Sequence, residues 1–546
     1  MQSPPSGIPF PVLPAHALSA LPMRRRAGVL AFAGLLGLLW AAAFLAGFYP
    51  AVFHSDSAAH QVLAQAMVDE GSLLPSDFAY GNQLILWRNN VFIAPALWLG
   101  AQGYRAYAIG SAVNFTVLFL IAFLCIEAVV RDWRRSLLAG WLLFLPLGHS
   151  EADFVLGQQS HLAAVVFPLV IALCVYRAGN GDRPALLLGS CAVGLMVLEA
   201  PTRAAMVLVP LAMAVIACGR TRTSRGAGAA MLAGAVAGFA GNQWLARSRE
   251  VTGIPAVAVA AYDHFLSRAN QLLKGFVDFF IGFNQFDGAP ATAGNLALYG
   301  FKTLALGAFV ALSLWIAVRL ARRHLDSPLP PLPVSAAEFL GVAGLAGALL
   351  GFWIVCAIEY WLDIRHFLWA LAMLKLVLIL WALKAVAPAG RVRWLALGAF
   401  VVAAVLMSTP TVRMVFPAYR QQLKAEFTTH TRIPFAGRVQ AHMRELGTNR
   451  IYGEYWETLR LQVLVPGANA SVLLINGGDV QFVSFLTRPS LKCVDGSVLY
   501  MLDVAGPPQA ELGRKIVAMG GRLLERLEGN KELYVGPPAW NKEGCP

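Results

Sequence analysis

Three short polar stretches interrupt an otherwise apolar chain, and they hold the residue types that do chemistry. The first reads Phe53-His54-Ser55-Asp56-Ser57-Ala58-Ala59-His60 and leads into a helical pattern that stops at Gly71. A carboxylate just before a helix has two uses. Asp56, or Ser55 beside it, caps the free N–H groups, or the carboxylate is left free for chemistry at the membrane surface. His54 and His60 flank it.

The second stretch, 148–161, gathers His149, Glu151, Asp153, Gln158, Gln159 and His161. Two acids and two imidazoles in one short loop suit a solvated turn or a divalent cation, magnesium or manganese. Glu151 and Asp153 are its candidate ligands. The third reads Glu359-Tyr-Trp-Leu-Asp363-Ile-Arg365-His366. A guanidinium at the mouth of an apolar run suits a phosphate at headgroup level. It equally suits an ion pair with Asp363 or Glu359. Glu199 and Arg203, on either side of Pro201, are expected to pair. Lys375 lies deep in an apolar run, where it snorkels or faces the interior of a bundle.

The elements that must position these groups follow from composition. Of 546 residues, 58% are hydrophobic and 13% charged, with a mean hydropathy of +0.60. Soluble domains carry about 25% charged residues. The balance excludes a soluble enzyme, a disordered chain and a collagen-like one, and predicts a polytopic membrane protein. The excess of 43 Lys+Arg over 30 Asp+Glu then reports topology, and no nucleic-acid motif accompanies it. Five cysteines (Cys125, Cys174, Cys191, Cys218, Cys356) sit in or beside apolar runs and read as packing residues. Cys493 and Cys545, near the C-terminus, are either a disulfide or free thiols.

Residues 1–26 form a Pro/Ser-rich tail ending in Arg24-Arg25-Arg26 and read as a disordered cytoplasmic segment. Apolar runs follow near 27–49, 106–130, 136–148, 160–176, 185–199, 203–218, 227–245, 295–318, 336–358, 366–386 and 392–409. The stretch 84–101 holds Arg88, Asn89 and Asn90 and decides the count. If it does not cross, the basic turns at Arg131–Arg135, Arg177–Arg183, Arg220–Arg225, Arg319–Arg323 and Arg391–Arg393 all share the side of Arg24–Arg26. If it crosses, all invert. The positive-inside rule selects the first arrangement: about eleven spans, N-terminus inside and C-terminus outside. The stretch 84–101 then lies at the outer interface with Trp87 and Trp98 as anchors, and 261–283 reads as a second interfacial helix. The domains are a tail (1–26), a transmembrane region (27–409) with outer loops 50–105 and 246–294, and an extracytoplasmic α/β domain (410–546). In that last domain, 437–447 and 507–528 read as helix, and 461–465, 471–475, 481–486 and 532–535 as strand.

The order of these features resembles the GT-C class of membrane glycosyltransferases. That class includes protein O-mannosyltransferases, oligosaccharyltransferases and lipid A aminoarabinose transferases. The resemblance rests on one span followed by the loop His54–Asp77 and 84–101, on Glu151 and Asp153 in the next outer loop, on Arg365-His366-Phe367-Leu368, and on Tyr452-Gly-Glu-Tyr455-Trp456 in the last domain. Two departures stand out: Ser-Asp-Ser at the first site, and no Trp-Trp-Asp signature, which argues against N-glycan transfer. The resemblance implies an inverting transferase that moves a sugar from a polyprenyl-phosphate donor to a glycan, lipid or protein acceptor. It places the site at the outer face of the membrane, and the Ala/Gly-rich composition points to a bacterial inner membrane. Asp56 would be the base, Arg365 with His366, His54 and His60 would bind substrate, and Glu151 and Asp153 would hold a cation. The competing expectation is a transporter or flippase, whose polar groups would gather at the bilayer midplane.

Overall fold

The computed structural model describes residues 17–47, 49–81, 83–146, 151–179, 181–218, 223–249, 251, 259, 261–281, 292–326, 335–358, 364–385, 398, 401–402, 435–476, 479–482, 485–492, 496–527 and 530–538. The apolar region folds as helices α1 (Met23–Gly47), α2 (Ser55–Glu70), α3 (Asn90–Trp98), α4 (Gly103–Val130), α5 (Trp133–Leu143), α6 (Leu162–Ala178), α7 (Arg183–Glu199), α8 (Pro201–Ala217), α9 (Thr223–Arg247), α10 (Tyr262–Ile281), α11 (Ala293–Asp326), α12 (Ala336–Ala357) and α13 (Leu368–Ala385).

Among the described residues, four helical stretches are long and apolar enough to cross a bilayer: Met23–Gly47, Gly103–Val130, Tyr299–Arg319 and Ala336–Ala357. This is a membrane-embedded protein. Helix α1 shows why. Its twenty-five residues reach about 37 Å at 1.5 Å per residue, against a hydrocarbon core of about 30 Å. Only Ala33, Gly37, Ala41 and Leu45 are buried, one stripe at fourfold spacing, while Phe32, Leu35 and Leu39 stay exposed. A small-residue stripe lets α1 approach α4, where Phe119 packs onto Gly37.

The ambiguous stretch 84–101 yields the nine-residue α3, about 14 Å long and too short to cross. Its polar donors bond to protein groups, although the amide oxygens of Asn89 and Asn90 are left without a partner among the described residues. Arg88 is buried against Glu199 at 3.0 Å. Asn89 Nδ2 donates to Ser111 Oγ at 2.9 Å. Trp87 and Trp98 are exposed. The expected Glu199–Arg203 pair is thus replaced in part: Glu199 is held by Arg88, a partner 111 positions away that no local pattern reveals. The predicted helix at 261–283 is α10. The run 392–409 lies almost wholly outside the described residues, as do His149, Glu359, Asp363, Cys493 and Cys545.

The last domain adds α14 (Ala436–Leu446), β1 (Arg450–Gly453), α15 (Tyr455–Leu464), β2 (Asn469–Asn476), β3 (Asp479–Phe482), β4 (Val498–Asp503), α16 (Pro507–Ala518), β5 (Arg522–Leu527) and β6 (Lys531–Gly536). The sheet runs β3-β2-β1-β4-β6-β5. Its three central strands are parallel and its outer ones antiparallel. Side chains alternate across it. Leu499 and Met501 face the core that α15 shares with the membrane helices, and Val498, Tyr500 and Leu502 face Leu512 and Ile516 of α16.

Two expectations are corrected here. The run 461–465 is not a strand but the end of α15, because parallel β1 and β2 need a crossover helix between them. The helix expected over 507–528 ends at Ala518. Gly520, at φ 89°, turns the chain into edge strand β5. Strand β4 was missed because Val498–Leu502 is buried on both faces and shows no alternation.

Candidate functional site

Helix α2 is buried on nearly every side, between α3 and the crossover helix α15. Its N-cap residue is His54, with no side-chain capping bond, and Asp56 falls in the first turn. The Asp56 carboxylate is therefore not spent on capping. It accepts from the Tyr455 hydroxyl at 2.7 Å (Oδ1) and from Gln158 Nε2 at 3.3 Å (Oδ2). Tyr455 opens α15, directly after the carboxyl end of β1, and the neighbouring Trp456 carbonyl accepts from Ser55 Oγ at 2.6 Å. The C-terminal domain thus closes over the start of α2 with two hydrogen bonds.

The second polar stretch approaches from the other side. Residues Ala152–Gly157 form a π-helical turn, a wide turn often found where side chains must be re-aimed. It is pinned from behind. The Tyr107 hydroxyl donates to the carbonyls of Gly157 and Gln158 at 2.8 and 3.2 Å. Gln159 donates to Ser111 O at 2.8 Å and accepts from Asn114 at 2.8 Å. At Gly157 any side chain would strike the Tyr49 ring. Gln158 is itself oriented, since its side-chain oxygen Oε1 accepts from the Ser160 hydroxyl. Asp153 faces His54, whose Nε2 lies 3.1 and 3.2 Å from the two carboxylate oxygens.

Burial opposes a charge on His54, but the Asp153 carboxylate, helped by Asp56, outweighs it and raises the imidazole above the ordinary histidine value. Burial first, then the Asp56 carboxylate, pushes the Tyr455 phenol well above its usual value, so it remains a donor. Arg365 acts on that phenol in the opposite sense. Its guanidinium stands 5.7 Å from the centre of the Phe154 ring, and the ring of His366 meets His161 edge-on at 6.1 Å.

The structure brings His54, Asp56 and Asp153 together where α2, the 151–161 segment and α15 meet; Arg365 lies against Phe154 and acts on Tyr455, and among the described aromatic rings His366 meets only His161. It does not bring His60 or Glu151 to that point. His60 is 3% exposed, and burial, then the charge of Arg88, pushes its pKa down to about 3. Glu151 turns to the buried Lys375, 2.8 Å from its ammonium. Among the described residues no group of three His, Cys, Asp or Glu side chains is arranged for a metal ion. Sequence reasoning passed over Gln158 as a site residue, although it stands in the polar stretch already singled out. The closing of Tyr455 onto Asp56, 399 positions apart, has no local signal.

No protein-family model and no curated protein matches this chain.

Proposed function

We propose that the protein is an inverting glycosyltransferase of GT-C type, with about eleven spans, working at the outer membrane face on a polyprenyl-phosphate-linked sugar. The observation that carries the reading is the Asp56 carboxylate. It is oriented by Tyr455 and Gln158, is free of any capping role, and lies at a junction that Arg365 also reaches.

In this reading Asp56 accepts the proton of the acceptor hydroxyl as that oxygen attacks the anomeric carbon. The bond from that carbon to the lipid phosphate oxygen breaks, and its electron pair leaves with the phosphate. Arg365 stabilises the charge that builds there. His54, held by Asp153 and with its pKa raised by that carboxylate, stands close to the base and favours a positive charge there. Trp456, 54% exposed and next to His54, offers an apolar ring face to the incoming acceptor.

The test replaces the wild-type protein in cells by Asp56→Asn at matched expression, with mass spectrometry of surface glycans and lipids. Loss of a general base lowers rates about 10²–10⁴-fold, so the transferred product should fall to trace levels. Product at the wild-type level sinks the assignment. A lipid-linked sugar that merely changes leaflet, unaffected by the substitution, identifies a flippase instead.

A further inference from the structure

Lys375 lies in the middle of α13, buried among apolar neighbours. Its ammonium donates to Glu151 Oε1 at 2.8 Å and to the carbonyl of Leu145 at 2.7 Å. It therefore grips the chain at 145 and again at 151, immediately before the π-helical turn that carries Asp153. Two residues on, Asp153 presents both of its oxygens to the ring nitrogen of His54.

A divalent ion shared by Glu151 and Asp153 needs their oxygens aimed at one point, roughly 2.0–2.6 Å from each. Here each carboxylate is already turned to a separate nitrogen cation or hydrogen-bond donor. An ion bound to Glu151 would also sit against a fixed ammonium in a dry interior, where repulsion between like charges is poorly screened.

We infer that Lys375 is the built-in counter-cation of this loop: its ammonium fills the place opposite Glu151 that a divalent ion would take, and the Glu151–Asp153 pair holds no metal of its own. Lys375 is a positioning residue. It never meets substrate, but it sets where the turn begins and so where Asp153 meets His54. The inference deepens the transferase reading by assigning the charge balance of its loop. Its test reads metal and stability, so it can fail while that reading stands.

The experiment titrates Mn²⁺ into the purified full-length chain in detergent and follows free ion by electron paramagnetic resonance. The wild type should bind no Mn²⁺ at a concentration where Lys375→Met binds one equivalent, and Lys375→Met/Glu151→Gln should lose that binding again. A wild-type Mn²⁺ site that Glu151→Gln or Asp153→Asn abolishes overturns the inference. So does a folded Lys375→Met that gains no ion. Should Lys375→Met fail to fold, the double variant decides. Restored folding upholds the charge pair, and a double variant as unstable as the single one overturns it.

Discussion

Removing the Tyr455 hydroxyl probes the joint between the C-terminal domain and Asp56. Tyr455→Phe keeps the ring in place beside Trp456 and Phe485 and deletes one O–H···O⁻ bond of 2.7 Å. Hydrogen bonds to charged groups contribute about 1.5–3 kcal/mol. Asp56 is half-buried, so water replaces part of the loss, and about 1–2 kcal/mol remains. Asp56→Asn weakens the same bond from the other end by making it neutral. The two substitutions should therefore be non-additive, with a coupling of about 1–2 kcal/mol, because residues sharing a hydrogen bond couple whereas independent sites add within about 0.3–0.5 kcal/mol. The assay is denaturant unfolding of the full-length chain in detergent, read from the C-terminal domain, for the wild type, both singles and the double. Additive losses would show that Tyr455 and Asp56 do not hold each other, and the docking of α15 on α2 would need another cause.

Two further outcomes are expected. His60, with its pKa pushed down to about 3 by burial and then by Arg88, binds no proton in the fold where an unfolded histidine, near 6.5, does. Stability should therefore fall as pH drops below about 6.5, approaching 1.4 kcal/mol per pH unit and reaching about 2 kcal/mol at pH 5. His60→Gln should flatten that dependence, and identical pH profiles for variant and wild type refute the assignment. At the buried Arg88–Glu199 pair, Glu199→Gln should destabilise by about 3 kcal/mol, since it strands a guanidinium. Arg88→Met/Glu199→Met should regain most of that loss in thermal unfolding, and a double variant no better than the single one contradicts the pairing.

Most of the helices were legible because a bilayer is a harsh solvent. Runs such as 27–49 and 106–130 had to be helical and roughly as long as the membrane is thick, and α1 and α4 follow them closely. The shortness of α3 was legible in Arg88, Asn89 and Asn90, which hydrocarbon does not tolerate. The C-terminal domain was read less well. In water, backbone groups have other partners, so Leu461–Val465 satisfied a strand pattern yet belongs to a helix and its cap.

By itself the sequence determined which polar residues stand at the ends of apolar runs: Asp56, the 148–161 cluster and Arg365. Only the tertiary structure decided what each of them faces. Asp153 turns to His54 and Glu151 to Lys375, although the two acids lie two positions apart. Asp56 turns to Tyr455 rather than to its own helix end, and His60 turns into the packed interior. The reason is physical. Hydrophobic periodicity is a property of neighbours along the chain, whereas the partner of a buried charge is set by which distant segment the packing brings within about 3 Å.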